Sequence, residues 1–375
     1  MIYLKQIDRV SAWEFYQNRK ITSFSLPETV RCIGSHAFYG CRDMENIFIP
    51  AFVSSLGSGA FMNCSRLREV TLPAKITVVR TDSFSGCYSL SAVEFPDTMR
   101  AIGDRGFYRC ANLQDLHLPP ELKKIGNSAF ERCSRLKSVK MPDSVHILGS
   151  RAFCGCWNLG MARLSANIKI IRKWAFSDCW NLKGVKLPRE LLDIGEETFS
   201  NCISLKKIIL PKKLKRIQKR AFMGCSQLKK IIIPASVQRI EEDAFLCCEN
   251  LREIAMNDRT FCMDESILSH AQLLHLSKNQ NHLEIMLDSE NPDFSEQHER
   301  KLLFRFWMQK DEFTRRIYFK QIRKPAYKIP LAVLMTDEQD SVYKNYIREN
   351  FQAVTQYLYA RADEENGARI MALCR

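Results

Sequence analysis

Cysteine is the residue of this 375-residue chain that most invites a chemical role, because thiolates bind metals and form disulfides. Ten of the fifteen cysteines recur every 23 residues: Cys41, Cys64, Cys87, Cys110, Cys133, Cys156, Cys179, Cys202, Cys225 and Cys248. A tetrahedral metal site needs ligands that converge from several directions, whereas one cysteine per repeat gives a linear column. We therefore predict free thiols that pack as small buried hydrophobic side chains.

Other motifs that carry chemistry are missing from the sequence. His270, His275 and His282 lie near Cys262, but their spacing is not that of a zinc finger. The chain has no glycine-rich phosphate loop, no nucleophile elbow and no carboxylate pair that could be placed in a cleft. We expect a protein without a metal, a cofactor or a catalytic residue, and hence not an enzyme.

Basic residues form a second column with the same period. His117, Lys140, Arg163 and Lys186 are 23 residues apart, and Lys137, Lys183, Lys207 and Lys230 flank them. Residues 257–375 hold 17 basic and 18 acidic side chains, a net charge of −1, so residues 1–256 carry a net charge of about +15 and account for the whole +14 of the chain. Such a column would attract an acidic protein, an acidic glycan or nucleic acid. The alternative is that these lysines only keep a parallel surface soluble and its edges unpaired.

The elements that position both columns follow from a repeat. Phenylalanine occurs every 23 residues from Phe38 to Phe245, three residues before each cysteine of the column. Apolar residues follow each cysteine at the third, sixth and eighth positions, and usually a proline comes next. This pattern predicts one short strand per repeat, a second extended piece and a tight turn. Stacked copies would form an α/β repeat solenoid with a continuous parallel sheet.

The repeats also set the predicted domain boundaries. Ile7, Val10 and Phe15 lie 23 residues before Val30, Ile33 and Phe38, so we expect a degenerate N-terminal cap coil. The period is lost after Met256. We predict a solenoid over residues 1–256, with ten repeats after the cap, and a helical C-terminal domain over 257–375.

Within the C-terminal region we predict one long helix carrying Leu302 to Ile317 and shorter helices at 342–351, 354–361 and 368–373. Pro325 and Pro330 are expected to interrupt the chain between helices. Residues 261–287 carry no assignable pattern.

The repeat motif, C-x-x-L-x-x-V-x-L-P-x-x-L-x-x-I-G-x-x-A-F in this chain, resembles the BspA-like, or treponemal-type, leucine-rich repeat family over about residues 1–256. The resemblance implies a ligand-binding scaffold, often on a bacterial surface. Tyr327, Ile329, Pro330, Leu331 and residues 343–350 resemble the helical domain that follows such repeats in gut-bacterial relatives.

Two apolar features call for a partner or a cover. Ile209, Ile232 and Ala255 continue the basic column as an apolar strip, and we expect the helical region to cover it, with an external partner as the alternative. Trp157, Trp174 and Trp180 lie around the least regular repeat. We expect these rings to fill a smaller core, with an interface as the alternative.

These observations together predict a non-enzymatic, monomeric interaction scaffold whose basic face binds an acidic protein or glycan. Nucleic acid and host matrix or glycans bound by a surface adhesin are the alternative partners. The first residues show no secretory pattern and no long apolar run occurs, so we expect a cytoplasmic protein that does not insert into a membrane, with the cell surface as the alternative location.

Overall fold

The computed structural model describes residues 7–257 without a gap, followed by 273–278, 281–286, 319, 322–323, 325–334, 341–350, 352–354 and 356. The chain forms two compact units, one of residues 1–228 and 241–249 and the other of residues 229–240 and 250–375. The predicted solenoid is confirmed: each 23-residue repeat of the first unit is one coil with a turn and a short back strand, and most of these coils also have a short front strand. The boundary between residues 256 and 257 stays a prediction.

Two columns of strands run through the coils. In the first unit, the front column consists of β2 (Ser23–Ser25), β4 (Asn46–Phe48), β6 (Glu69–Thr71), β8 (Ala92–Glu94), β11 (Ser138–Lys140), β13 (Met161–Arg163) and β15 (Gly184–Lys186). The back column of this unit consists of β1 (Arg9–Val10), β3 (Cys32–Ile33), β5 (Ser55–Leu56), β7 (Val78–Val79), β9 (Ala101–Ile102), β10 (Lys124–Ile125), β12 (Ile147–Leu148), β14 (Ile170–Ile171), β16 (Asp193–Ile194) and β17 (Arg216–Ile217). The second unit contains β18 (Lys230–Ile232), β19 (Arg239–Ile240) and β20 (Glu253–Asn257), and β18 pairs parallel with β20.

All strand pairs between these coils are parallel, but the hydrogen-bonded ladders are interrupted. The front column contains the sheets β2-β4, β6-β8 and β11-β13-β15, and the back column contains β1-β3-β5, β12-β10-β9-β7 and a sheet that begins β14-β16-β17. Strands of two or three residues make few hydrogen bonds per coil. Side-chain stacking therefore holds neighbouring coils together even where the ladder lapses.

Stacked phenylalanine rings form the centre of the first unit. The rings from Phe38 to Phe245 are buried and nearly parallel, with neighbouring centroids 5.2 to 5.7 Å apart. Phe15, in the predicted cap coil, stacks on Phe38 with the ring centroids 5.0 Å apart. Each ring covers the next, so no single repeat has to bury its own apolar side chains.

Two backbone positions in every turn adopt the left-handed conformation. All 22 described residues with positive φ lie in two columns of 23-residue period, one starting at Trp13 and the other at Gln17. Only five of them are glycine. The turn that follows each back strand is thus fixed by the backbone path, and most coils accept the strain of a side chain there.

The second unit contains two strands that the sequence did not predict. β21 (Leu273–Lys278) pairs parallel with β20 over five residues, and β22 (Asn281–Met286) pairs antiparallel with β21. The stretch without an assignable pattern therefore contains a hairpin that extends a sheet. Its physical role is to cover the edge of β20, because an unpaired edge strand exposes its N–H and C=O groups.

Two helices are described in this unit. α1 (Pro325–Leu334) spans both prolines that were expected to interrupt the chain, so that prediction was wrong. Pro325 occupies the first helical position, where no N–H is needed, and burial of Tyr327 and Leu331 offsets the bond that Pro330 cannot make. α2 (Ser341–Glu349) lies where a helix was predicted at 342–351.

The described helices meet around an aromatic cluster. The Phe319 ring contacts Tyr343 and Tyr346 edge-on, and the Lys328 ammonium lies about 5 Å from the Phe319 and Tyr346 rings. Burial raises the pKa of Tyr346 above its usual value. Residues 352–354 and 356 are also helical, whereas the predicted helices at 302–317 and 368–373 lie outside the described residues.

Candidate functional site

The three central members of the basic column lie in register on neighbouring strands. Lys140 of β11 pairs with Arg163 of β13, and Arg163 pairs with Lys186 of β15. Side chains alternate along a strand, so Val139 and Ala162 point into the core while the basic residues are exposed. Parallel strands lie about 4.8 Å apart, so the Cα atoms of neighbouring column residues are about 5 Å apart and those of Lys140 and Lys186 about 10 Å apart.

No acidic partner neutralises these three charges. Within residues 7–257, no carboxylate forms an ion pair with Lys140, Arg163 or Lys186. Other coils do pair such residues across one repeat, as Lys213 does with Glu190. The column therefore presents three positive charges on neighbouring strands that no carboxylate of residues 7–257 pairs.

The remaining residues of the predicted site are placed less uniformly. His117 is exposed but lies outside any strand, next to Glu94 in the column. Lys137 and Lys183 are exposed one residue before β11 and β15, and Lys207 is exposed in the coil after β15. Lys230 forms an ion pair with Glu253, so its charge is compensated within its own unit.

Two of the positions beside the column are occupied by glycine. Lys137 is followed in the next coil by Gly160, and Ser138 by Met161 and Gly184. The Met161 sulfur lies 3.2 Å from the position that a Cβ on Gly184 would take. The exposed Met161 thioether thus fills the space that the missing side chain leaves and gives the basic face an apolar centre.

A tryptophan pair lies at the edge of the same coils. Trp157 and Trp180 stack with centroids 5.3 Å apart, and they are 43% and 45% exposed, so they do not fill the core as expected. Ile203 continues their column and is also exposed. Their position explains the exposure of Trp157 and Trp180, because each ring directly follows a column cysteine and points out of the turn. The 23-residue spacing of the two tryptophans was the sequence signal for this exposed pair.

Trp174 has a different environment from the other two tryptophans. Arg151 and Lys173 both lie over its ring, at 4.3 and 4.5 Å from the centroid. These cation–π contacts hold the two positive side chains at the back of the solenoid.

The cysteine column is structural. Each of its thiols donates a hydrogen bond to a phenylalanine carbonyl of the preceding coil, for example Cys133 to Phe107 at 3.2 Å and Cys64 to Phe38 at 3.1 Å. Burial raises the pKa of Cys87 to about 12 and that of Cys41 to about 11. Such thiols stay protonated near neutral pH and are poor metal ligands, and no group of three or more potential metal ligands occurs among the described residues.

The other predicted features can be located in part. His275 and His282 belong to β21 and β22, while His270 and Cys262 lie outside the described residues. Ile209 is 72% exposed and Ile232 57% exposed. A cover by the helical region stays a prediction. Among the described helices, none has the length and apolar character needed to cross a membrane.

Comparisons with known proteins agree with this architecture. The family model described as "BspA type Leucine rich repeat region" matches in six copies over residues 2–113, 54–183, 100–226 and 169–288. No curated protein matches the chain.

Solved structures of leucine-rich repeat proteins are similar to the chain. One from Bacteroides ovatus is 27% identical, covers 67% of this chain and 83% of its own length, and has a TM-score of 0.50. One from T. pallidum is 28% identical, with 50% and 78% covered and a TM-score of 0.40. A leucine-rich cell surface protein from Faecalibacterium prausnitzii is 25% identical, with 73% and 84% covered and a TM-score of 0.45. The repeat motif, the coils and the family match agree, and the chain belongs to the BspA-type leucine-rich repeat family.

Proposed function

We propose that this chain is a non-enzymatic interaction scaffold whose front face binds an acidic segment of a partner protein. Leucine-rich repeat proteins generally bind protein partners and are typically not enzymes. The single observation that carries the proposal is the exposed, unpaired column of Lys140, Arg163 and Lys186 on three hydrogen-bonded strands.

The surroundings of the column favour a protein over a simple polyanion. Met161 supplies an apolar centre, and the exposed pair of Trp157 and Trp180 offers aromatic surface of the kind enriched at protein interfaces. An acidic glycan uses the same charges, and nucleic acid is the third candidate. Lys137, Lys183 and Lys207 extend the positive surface, while His117 and Lys230 contribute less.

The proposal is tested with poly-L-glutamate, heparin and duplex DNA as probes. The triple variant Lys140→Glu, Arg163→Glu and Lys186→Glu should weaken binding of poly-L-glutamate at least about tenfold and lower the slope of log K against log salt by about 3. The control variant Lys123→Glu, Arg189→Glu and Lys212→Glu makes the same charge change at exposed positions elsewhere and should retain most of the affinity.

Equal losses in both triple variants would show that only net charge matters and would defeat the proposed site. Heparin or DNA bound far more tightly than poly-L-glutamate, with the same dependence on the column, would replace the protein partner by a glycan or a nucleic acid.

The proposed location is the cytoplasm. All thirteen cysteines described are free thiols, which suits a reducing compartment. Proteins of this family are often found at the cell surface, so location needs a direct test. Protease treatment of intact source cells should leave the chain uncut while a surface control is cleaved, and cleavage of the chain would place it outside.

A further inference from the structure

A groove of about 580 Å³ opens on the back of the solenoid, away from the front strands in each coil. It lies where the back ladder stops between β12 and β14. In the flanking coils, Gly149 N–H donates to Ile125 O and Gly195 N–H donates to Ile171 O, both at 2.8 Å. Between β12 and β14, the equivalent bond from Arg172 N–H to Leu148 O is not formed.

Arg172 occupies a column that is otherwise rich in glycine. A Cβ at Gly149 would lie 2.4 Å from backbone atoms of the preceding coil, so a side chain at this position requires the two coils to shift. The two interruptions of the back ladder coincide with Arg80 and Arg172, whereas Gln218 in the same column keeps its bond. Arginine in this column is thus associated with an interrupted ladder, and at Arg172 the interruption coincides with the groove.

At the opening, two backbone N–H groups have no hydrogen-bond partner among the residues that the structure describes. Lys169 N–H lacks the bond that Leu192 N–H makes one coil later, and Arg172 N–H is unpaired as described above. Lys169, Arg172 and Lys173 also line the groove with their side chains, and Glu196 is the one carboxylate in its lining. Unpaired N–H groups and cations around one groove favour a carboxylate ligand.

The floor of the groove is apolar and open. Ile147 is 37% exposed and Ile170 is 53% exposed, although both are large aliphatic side chains. Their exposure leaves apolar surface that a ligand could remove from water. A ligand that matches both features carries a carboxylate beside a branched aliphatic group.

We propose that this groove binds an acidic–aliphatic peptide segment, with its carboxylates on Lys169, Arg172 and Lys173 and its aliphatic side chains on Ile147 and Ile170. The site is separate from the front basic column, because it uses other strands and none of the same residues. The segment in this groove and the segment on the front column can therefore belong to one partner or to two.

The probe is a fluorescently labelled hexapeptide that alternates aspartate and leucine, measured by anisotropy against the full chain. Arg172→Gly restores the glycine of the column, so it should close the opening and weaken binding at least about tenfold. Arg80→Gly is the matched control, since it makes the same change at the other interruption, and it should leave the affinity unchanged. The double variant Lys169→Glu and Lys173→Glu is a second test, because it reverses two of the charges proposed to bind the peptide carboxylates without changing the glycine column. It should also weaken binding of the peptide.

Several results would overturn the proposal. One is the absence of saturable binding up to millimolar peptide, and another is equal binding of a peptide that alternates aspartate and serine. The third is full competition by inorganic phosphate, because the groove would then bind only an anion. Loss of binding in the Lys140, Arg163 and Lys186 triple variant but not in Arg172→Gly would assign the peptide to the front column. The two proposals therefore fail separately.

Discussion

At the scale of single residues, each column cysteine gives a buried phenylalanine carbonyl a second hydrogen bond. The Phe107 carbonyl, for example, accepts from the backbone N–H of Cys110 in its own turn and from the Cys133 thiol of the next coil. A cysteine is small enough for the stacked core and still offers a weak donor. The sequence predicted a buried free thiol at these positions, but it could not show the hydrogen bond, which joins residues 26 positions apart.

The raised pKa values of these thiols give a dependence of stability on pH. In the unfolded chain a thiol ionises near pH 9, whereas folded Cys87 keeps its proton to about pH 12. The folded state therefore binds more protons between these values, and stability falls as pH rises through them. For Cys87 this loss should approach about 1 kcal/mol per pH unit above pH 9.

This effect can be measured by urea unfolding between pH 8 and 10.5. Cys87→Ala should make the alkaline slope of the unfolding free energy less steep, by up to about 1 kcal/mol per pH unit. Cys247→Ala, at an exposed cysteine outside the column, is the control and should leave the slope unchanged. An identical slope in the wild type and Cys87→Ala would contradict the assignment.

Glycine in the back turn is a second residue-scale feature with a measurable consequence. Gly149→Ala would place a Cβ 2.4 Å from the backbone of the preceding coil, so we expect a loss of about 1 to 3 kcal/mol in unfolding free energy. Gly160→Ala is the matched control, because its nearest neighbouring atom lies 3.6 Å away, and it should change stability by less than about 0.5 kcal/mol. Comparable losses in thermal melts of both variants would refute the close-packing explanation.

At the scale of elements, the regular strands were predictable and the exceptions were not. The period of 23 residues located the in-register charges of β11, β13 and β15, because parallel strands of equal spacing must align. The interruptions at Arg80 and Arg172 depend on whether two coils shift, and Gln218 shows that residue type alone does not decide this. The hairpin of β21 and β22 lies beyond the repeats, so no period indicated it.

The candidate site was likewise predictable only in part. The central column followed from spacing, but the ion pair of Lys230 with Glu253 depends on the direction of two side chains. The groove beside Ile170 was not predicted, since it arises from missing hydrogen bonds rather than from a motif.

At the scale of the whole molecule, architecture and binding depend on different residues. The repeats provide rigid, stacked coils, and the residues at the exposed positions of each repeat determine which partner binds. A net charge of +14 supports attraction of acidic partners over a distance, and screening by salt should weaken that attraction. Short-range recognition then depends on which exposed columns the partner covers.

The most direct test of the central claim is lysine footprinting by acetylation and mass spectrometry, with and without saturating poly-L-glutamate. We expect acetylation of Lys137, Lys140, Lys183 and Lys186 to slow when the probe is bound, while Lys123 and Lys212 react at the same rates as in the free protein. Protection spread evenly over all six lysines, or confined to Lys123 and Lys212, would contradict a binding face on the front strands.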